Sequence, residues 1–500
     1  MKDRSAAPGK DEKMKKAETC LPKKGRSHKE ILNELRGFGK NDPDYKKSRT
    51  WSLVYYLGEG HTRFLQQAYN YYFSANGLNP TVFQSLKRME SEVVRITANL
   101  HHGDRQVAGV MTSGGTESCL LAVKTYRDMA REQKKIKKPE MVLPTTAHVA
   151  WEKGAKYFGV KAVHAPLDKS LRVDIKAVKK LINKNTVMIL GSAPEYPHGM
   201  IDPIEELGEI AKDKNIPLHV DACLGGYLLP FAEMLGYPVP AWDYRVEGVT
   251  SISADTHKYG FSAKGASTVT YRSIEILKYQ LYVYENWPGG IFASPALLGT
   301  RPGGAYAAAW AALQSIGENG YRKLTKTIIE TAEKLKAGIE AIPELEVLGK
   351  PMGSVFAYRS KSREVNIYAV GDQMEKLGWQ IDRLQFPEAL HAMVTPLHAG
   401  IVKQYLKDLR QTVRMVKGKP ELSEKGAAAM YGLIANIPLR GMVRKNVLKM
   451  FAEMYGPDAK MIDPTTTSLS SDEGGGDKPD FATRMAMAYL RVKNRFRKQD

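Results

Sequence analysis

Lys258 stands in the stretch ISADTHKYG (252–260), directly after a run of β-branched and small residues (249–254) that is typical of a short buried strand. Because α/β sheets bind their ligands beyond the ends of strands, this position could place a reactive amine in a site. Most lysines, however, are surface residues that pack only their apolar stems. Whether Lys258 does chemistry therefore depends on what else the sequence brings to the same sheet edge.

The stretch TSGGTES (112–118) follows a predicted strand and begins a predicted helix. Gly114 and Gly115 allow the backbone to approach a ligand closely, and the free amides at the start of a helix suit a phosphate group. Gly-Gly turns before helices are common, so this motif alone is weak evidence for a phosphate site.

Two further residues end predicted strands. His148 closes MVLPTTAH (141–148), and Asp221 ends the buried-looking run LHVD (218–221). A single histidine is usually structural, whereas a buried carboxylate is costly unless it meets a cation. A phosphate-binding turn, a ring-sized side chain, an anion and a strand-end lysine together indicate pyridoxal phosphate, which needs an amine, an acid partner for its ring nitrogen and a phosphate site.

From about residue 105 the sequence alternates short apolar strands with amphipathic helices, which predicts an α/β fold with a mainly parallel central sheet and helices on both faces. A smaller α+β domain is expected to follow. The predicted divisions are a basic leader that is disordered or arm-like (1–45), an N-terminal helical segment (46–105), a large cofactor-binding domain (106–315), a small C-terminal domain (316–460), a flexible linker (461–480) and a basic amphipathic tail (481–500).

Half of the formal net charge of +20 lies on the two ends of the chain: residues 1–30 hold ten basic and five acidic residues, and residues 481–500 hold six basic and one acidic. The body shows neither a basic face with interleaved aromatics nor a known module, so no nucleic-acid partner is expected. A docking helix is the ordinary explanation of the amphipathic tail, and contact with a membrane surface is the alternative.

Three widely spaced cysteines do not form a disulfide framework, and no secretory signal or 18-residue apolar run is present. These features predict a cytoplasmic protein, peripheral at a membrane surface if the tails bind lipid. No metal site is predicted.

The order and spacing of TSGGTES, His148, HVDA and DTHKYG resemble the fold-type I pyridoxal-phosphate enzymes of the group II decarboxylase-like family. Within that family the sequence most resembles the sphingosine-1-phosphate lyases, over residues 45–455. The stretches that carry this closer resemblance are VYYLGEGHTRFLQQAY (54–69), NGLNPTVFQSLKRMESEVV (76–94), HKYGFSAKG (257–265), GTRPGG (299–304) and AAMYGLIANIPLRGMV (428–443).

The resemblance implies roles for individual positions. It implies that Lys258 carries the cofactor, that Asp221 pairs with the ring nitrogen and that His148 stacks on the ring. The residues that it places near the cofactor phosphate are Gly114, Gly115, Thr116 and His257.

A second group of positions matches residues around the substrate. The resemblance implies that Tyr55 and Tyr431 act with Lys258 in catalysis, and that Tyr55, Asn79, Lys264 and Tyr431 surround the substrate phosphate and reacting carbons. It further implies a homodimer with shared active sites, in which the loop carrying Thr300 and Gly303 reaches the cofactor of the neighbouring subunit.

The chain departs from the family pattern in two places. The pattern Asn-Pro-Leu-His-Pro is replaced by Asn-Gly-Leu-Asn-Pro at residues 76–80, and Ser-Ala replaces Ala-Pro at residues 262–263. Asn79 therefore stands where the family has a histidine. An amide can donate a hydrogen bond to a phosphate but cannot shuttle protons.

The resemblance implies an aldehyde-lyase that splits a phosphorylated sphingoid base by a retro-aldol reaction into a long-chain aldehyde and phosphoethanolamine. Two alternatives remain open at the level of sequence. The first is an amino-acid decarboxylase with the same cofactor. The second is a membrane-surface or scaffold protein built on a decayed enzyme body, against which the intact Asp221 and Lys258 argue.

Overall fold

The computed structural model describes residues 21–423, 426–436 and 440–457. The predicted linker (461–480) and tail (481–500) lie outside the described residues, as do the first twenty residues of the predicted leader. The chain divides into two compact units between Asp44 and Tyr45.

The first unit contains helix α1 (His28–Phe38) and a 3-10 helix (Gly39–Asn41). Ser27 and Glu30 form a capping box at the start of α1: the Ser27 hydroxyl accepts a hydrogen bond from the Glu30 amide at 3.3 Å, and the Glu30 carboxylate accepts one from the Ser27 amide at 3.0 Å. These two bonds satisfy amides that the first turn of a helix leaves without partners.

The second unit is built on a seven-stranded sheet with the order β1-β7-β6-β5-β4-β2-β3. Its strands are β1 (Ala108–Thr112), β2 (Glu140–Pro144), β3 (Lys161–Ala165), β4 (Thr186–Ser192), β5 (Leu218–Asp221), β6 (Val249–Ala254) and β7 (Ser267–Tyr271). Strand β7 runs antiparallel to both of its neighbours, and all other pairs are parallel. The predicted α/β class with a mainly parallel sheet is confirmed.

Side chains that alternate along the strands pack against helices on both faces of this sheet. On β2, Met141 and Leu143 are buried in one hydrophobic cluster with Trp151, whereas Val142 is buried in a different cluster with Ile204. This alternation is the period of two that a strand covered on both faces requires.

The helices of the second unit precede, cover and follow this sheet. They are α2 (Glu59–Tyr71), α3 (Gln84–Leu100), α4 (Gly115–Gln133), α5 (Ala150–Phe158), α6 (Ile175–Leu181), α7 (Ile204–Lys214), α8 (Leu229–Met234), α9 (Ile274–Leu277), α10 (Gly303–Glu340), α11 (Ile367–Lys376), α12 (Val402–Val416), α13 (Gly426–Asn436) and α14 (Arg440–Tyr455), with 3-10 helices at Tyr45–Lys47, Pro396–Gly400 and Pro420–Ser423. Helix α10 is interrupted at Gly317, whose φ of 60° is not helical.

A second, smaller sheet follows α10. It is antiparallel, has the order β10-β11-β13-β12, and consists of β10 (Leu345–Val347), β11 (Val355–Ser360), β12 (Asp382–Gln385) and β13 (Glu388–Met393). Between the two sheets in the sequence lies a hairpin of β8 (Tyr282–Tyr284) and β9 (Phe292–Ser294). Within the described ranges, no helix has the length and apolar character needed to cross a membrane.

Candidate active site

Three neighbouring strands bring the predicted residues to one edge of the large sheet. Ser192 at the end of β4 pairs with Asp221 at the end of β5, and Asp221 pairs with Ser253 near the end of β6. The turn after β6 carries Asp255 and Lys258. The parallel arrangement therefore places Asp221 and Lys258 at the same carboxyl edge, where α/β folds bind ligands.

Lys258 forms a buried ion pair with Asp255, a residue to which the sequence analysis gave no role. The Nζ atom lies 2.9 Å from Asp255 Oδ2, and the Lys258 side chain is 24% exposed whereas that of Asp255 is 1% exposed. Burial alone would lower the pKa of Lys258, but Asp255, Cys223 and Asp221 outweigh it and raise that pKa above its ordinary value. Lys258 is therefore an ammonium group at neutral pH in this arrangement.

Asp221 is a buried anion held by neutral donors. Its Oδ2 accepts a hydrogen bond from the Trp151 indole N–H at 2.8 Å, and its Oδ1 accepts bonds from the Cys223 amide at 3.1 Å and the Ser253 hydroxyl at 3.4 Å. Burial acts to raise the pKa of Asp221, but the Trp151 bond, His148 and Cys223 hold it below its usual value. A carboxylate that stays ionised among neutral donors suits a cationic partner.

The predicted phosphate turn has the geometry of an open helix start. Helix α4 begins after Gly114, and this N-cap residue makes no side-chain capping hydrogen bond among the described residues. A Cβ atom at Gly115 would lie 2.7 and 2.9 Å from the carboxylate oxygens of Asp255, and one at Gly114 would lie 3.3 Å from His257. Only glycine at position 115 allows the Asp255 carboxylate to approach so closely. Thr116, the next residue, is exposed. The uncapped amides are available to an anion.

The two predicted histidines have different contacts. His148 is exposed, and its Nδ1 accepts a hydrogen bond from the Ala150 amide at 3.2 Å. His257 Nε2 lies 3.6 Å from Asp255 Oδ2. Desolvation by the surrounding protein lowers the pKa of both imidazoles, so both are neutral at pH 7.

Tyr55 and Lys264 form a pair near the same turn. Lys264 Nζ lies 4.9 Å from the centroid of the Tyr55 ring, and the Tyr55 ring packs edge-on against Tyr259 at 5.0 Å. Burial, reinforced by the charge of Lys258, lowers the pKa of Lys264 to about 8. Burial raises the pKa of Tyr55 well above its ordinary value, so its phenol keeps its proton.

Tyr431 approaches this region from helix α13. Its ring lies 5.6 Å from the Arg383 guanidinium and 5.7 Å from the Tyr368 ring. Tyr431, Tyr55 and Tyr196 all pack against the same hydrophobic cluster. Burial raises the pKa of Tyr431.

Three predicted residues make their contacts elsewhere. Asn79 is exposed, and its Oδ1 accepts hydrogen bonds from the amide and hydroxyl of Thr81 at 3.0 and 2.7 Å. The Thr300 hydroxyl accepts a bond from Asn76 Nδ2 at 3.2 Å, and the Gly303 amide donates to Ala75 O at 2.9 Å. Within the described part of the chain, none of the three is hydrogen-bonded to Lys258, Asp255 or Asp221. The roles assigned to them stay predictions.

Sequence reasoning missed three residues that the fold brings into the site. Asp255 was visible, because it stands three residues before Lys258 in the quoted motif and could have been assigned as the ion-pair partner. Trp151 and Tyr196 carried no such signal, since a single aromatic residue is indistinguishable from a core residue in a sequence.

These groups fit pyridoxal phosphate. The open first turn of α4 suits the phosphate, the ionised Asp221 suits a protonated ring nitrogen, the exposed His148 ring offers a stacking surface, and Lys258 offers the amine.

Comparison with known proteins identifies the family. Residues 82–361 match the pyridoxal-dependent decarboxylase conserved domain. The sphingosine-1-phosphate lyase of Oryza sativa subsp. japonica is 46% identical over 435 residues, which cover 85% of this chain and 80% of that protein. Sphingosine-1-phosphate lyase 1 of Rattus norvegicus is 43% identical over 441 residues, covering 88% of this chain and 77% of that protein.

A solved structure agrees with these relatives. The sphingosine-1-phosphate lyase of Burkholderia pseudomallei superposes with a TM-score of 0.80 at 38% identity, covering 87% of this chain and 97% of that one. The predicted fold type and the predicted pyridoxal-phosphate dependence are confirmed. This chain belongs to the sphingosine-1-phosphate lyase family.

Proposed function

We propose that this enzyme splits a phosphorylated sphingoid base into a long-chain aldehyde and phosphoethanolamine. The observation that carries the proposal is the placement of Lys258, the ionised Asp221 and the Tyr55–Lys264 pair around one sheet edge in a chain of this family. Family membership favours this lyase reaction over the amino-acid decarboxylase alternative.

The residues that would hold the cofactor are Gly114, Gly115, Thr116, His148, Asp221, His257 and Lys258. When bound, pyridoxal phosphate supplies an electron sink that accepts the electron pair of the breaking carbon–carbon bond. Asp221 acts by keeping the ring nitrogen protonated, because it is itself ionised and buried. His148 and His257 bring neutral rings, which add no charge to the site.

Retro-aldol cleavage removes a proton from the substrate hydroxyl next to the broken bond and later returns a proton to the carbon of the amine-bearing product. Neutral imidazoles such as His148 and His257 are able to accept the first proton. The Lys258 ammonium is able to donate the second. Tyr55 and Tyr431 are protonated phenols at neutral pH, so they serve as hydrogen-bond or proton donors rather than as bases.

The substrate phosphate is assigned to Lys264. Below a pH of about 8 its amine is cationic, and its position over the Tyr55 ring fixes where the charge lies. A cationic donor binds phosphate by a charge-assisted hydrogen bond, which is roughly twice as strong as a neutral one. Asn79 is proposed as a neutral contact to the same phosphate through its Nδ2 donors, because Thr81 uses only the Oδ1 atom.

A homodimer with shared sites is part of this proposal. The hairpin of β8 and β9 leaves large apolar side chains exposed: Tyr282 is 54%, Trp287 is 53% and Ile291 is 79% exposed. Apolar surface of this kind is typical of a subunit interface. The neighbouring segment, in which Thr300 precedes α10 and Gly303 begins it, is proposed to reach the cofactor of the partner subunit.

The enzyme is proposed to be cytoplasmic and to contact membrane surfaces through its basic tails. The support is the net charge of +5 on each of residues 1–30 and 481–500, together with an amphipathic substrate class that partitions into lipid. Salt-dependent binding of the full chain to anionic vesicles tests this contact.

The activity is tested by supplying the purified, cofactor-loaded protein with a phosphorylated sphingoid base, the same base without phosphate, glutamate and an aromatic amino acid. The expected result is a long-chain aldehyde and phosphoethanolamine from the first substrate alone. Release of carbon dioxide from either amino acid, with no aldehyde from the first substrate, would show that the decarboxylase alternative is correct.

A further inference from the structure

Tyr196 connects the second sheet to the cofactor site. It lies in the segment 193–203 between β4 and α7, and its hydroxyl donates a hydrogen bond to Asp382 Oδ2 on β12 at 2.7 Å. Its backbone carbonyl accepts a bond from His391 Nε2 on β13 at 2.9 Å. Asp382 and His391 face each other in the register of the second sheet, so Tyr196 is held at both its hydroxyl and its backbone by one strand pair.

The aromatic ring of Tyr196 lies between two histidines. On one side it stacks on His391, with ring centroids 4.2 Å apart and an interplanar angle of 25°. On the other side it meets His148 edge-on, with centroids 6.3 Å apart and an angle of 80°. The His148 distance lies within the range of about 4.5–7 Å that favours aromatic contacts, and the His391 ring packs slightly closer than that range. The three rings therefore form a continuous column from the second sheet to the predicted stacking residue.

The segment that carries Tyr196 is itself fixed. The buried Glu195 carboxylate accepts hydrogen bonds from the amides of His198 and Met200, each at 2.9 Å. Gly199 has a φ of +79° and packs so closely against the Val355 carbonyl on β11 that no Cβ atom would fit. The position of the Tyr196 ring is thus determined by the second sheet rather than by the cofactor site.

His148, by contrast, has few constraints of its own. Its ring is exposed, and the one hydrogen bond recorded for its side chain within the described residues is that from the Ala150 amide at 3.2 Å. A ring that must lie flat on a cofactor needs its orientation fixed by neighbours. Tyr196 is the ring that contacts it from the side of the second sheet.

We propose that Tyr196 is a positioning residue, which fixes the His148 imidazole for stacking on the cofactor ring, and that Asp382 acts through Tyr196. The proposal rests on the assigned stacking role of His148 but not on the identity of the substrate. Burial and Asp382 raise the pKa of Tyr196, so its phenol stays protonated and keeps the bond to Asp382 at working pH.

The test is a double-mutant cycle on cofactor affinity in the full chain. Pyridoxal phosphate is titrated into cofactor-free wild type, His148→Ala, Tyr196→Ala and the double variant, with tryptophan fluorescence and visible circular dichroism as readouts. If Tyr196 acts through His148, Tyr196→Ala should weaken cofactor binding by roughly fivefold or more in the wild-type background and have no further effect in the His148→Ala background. Independent, additive effects would overturn the proposal.

Two conservative variants keep the test valid if Tyr196→Ala folds poorly. Tyr196→Phe removes only the hydroxyl, and Asp382→Asn removes only the charge of the group that accepts its hydrogen bond. Each variant should reduce the visible circular dichroism of the bound cofactor. The double variant should lose no more of this signal than either single variant. Tyr279→Phe is the matched control, since its hydroxyl also donates to a carboxylate, that of Glu132 at 3.1 Å, and it should leave the signal unchanged.

The outcomes separate this proposal from the assignment on which it rests. If His148→Ala leaves cofactor affinity and circular dichroism unchanged, both the stacking role and the positioning role are overturned. If His148→Ala weakens binding but Tyr196→Phe and Asp382→Asn leave the signal of the bound cofactor unchanged, only the positioning role is overturned.

Discussion

The Lys258 ammonium lies 2.9 Å from the carboxylate of Asp255, and only 1% of the Asp255 side chain is exposed. A buried carboxylate is stable as an anion only when a cation or several donors neutralise it. Each residue of this pair therefore controls the protonation state of the other.

Replacing Asp255 by asparagine should shift the protonation of Lys258. Without the anion, the effect of burial prevails and the pKa of Lys258 falls, so the amine becomes neutral and nucleophilic at a lower pH. We expect the pH midpoint for covalent capture of pyridoxal phosphate by the cofactor-free protein to fall by about one unit or more. The measurement is the rate of the absorbance change between pH 6 and pH 11.

Asp128→Asn is the matched control for that experiment. Asp128 pairs with Lys124 at 3.3 Å on helix α4, a lysine that has no part in the site. An unchanged pH midpoint in Asp255→Asn would contradict the control of Lys258 by Asp255.

The sequence predicted the features of this enzyme that depend on residues close together in the chain. Strand and helix periodicity gave the α/β class, and the ends of β5 and β6 placed Asp221 and Lys258 at one edge because parallel neighbours end together. Spacing could not predict the Trp151 bond to Asp221 or the Tyr196 bond to Asp382. Each bond joins an aspartate to an aromatic residue that is far away in the chain and of a type that normally serves as core.

Position 79 shows a second limit of prediction from the sequence. The resemblance to the family predicts that Asn79 lies by the substrate phosphate. In the structure its side-chain oxygen accepts a local hydrogen bond from the Thr81 amide, as asparagine side chains commonly do in turns. A motif aligned by sequence fixes the place of a residue in the chain but not the direction of its side chain.

Lys258→Ala should abolish covalent attachment of the cofactor and lower turnover by at least about 10²–10⁴-fold, the usual contribution of a positioned acid–base group. Borohydride reduction of the loaded wild type, followed by peptide mapping, locates the modified lysine. Lys264→Ala serves as the control and should retain the label at Lys258. A label on any lysine other than Lys258 would show that the site is assigned wrongly.

Asp221→Asn should retain bound cofactor while losing turnover by several orders of magnitude. The amide preserves the shape of the side chain and its bond with Trp151, but it has no charge to keep a ring nitrogen protonated. Cofactor content by absorbance and turnover are measured on the same preparation, with the surface variant Asp213→Asn as control. Near-normal turnover in the fully loaded variant would exclude this role for Asp221.

Gly199→Ala should destabilise the protein more than an ordinary substitution of a left-handed glycine. Gly199 has a φ of +79°, and its added Cβ would collide with the Val355 carbonyl oxygen. Gly236→Ala is the matched control, because Gly236 has a φ of +83° with nothing within 4 Å of the added atom. We expect a loss of about 1–2 kcal/mol in the control and more than about 3 kcal/mol at Gly199, measured by urea unfolding. Equal losses would show that the contact with Val355 is not tight.

Lys264→Gln should weaken use of the phosphorylated substrate in a pH-dependent way. The pKa of Lys264 is lowered to about 8 by burial, so its amine is cationic below that pH and neutral above it. The measured quantity is kcat/KM, which reports the ionisation of the free enzyme. The kcat/KM of wild type should exceed that of the variant by roughly ten- to hundredfold at pH 7, which is the value of a charge-assisted hydrogen bond, and this ratio should shrink as the pH rises through 8.

Inhibition by inorganic phosphate should follow the same trend in wild type and be flat in the variant. Lys278→Gln, which removes a surface lysine paired with Glu275, should reproduce the wild-type profile. A ratio of wild type to Lys264→Gln that is the same at pH 7 and pH 9 would place the substrate phosphate away from Lys264.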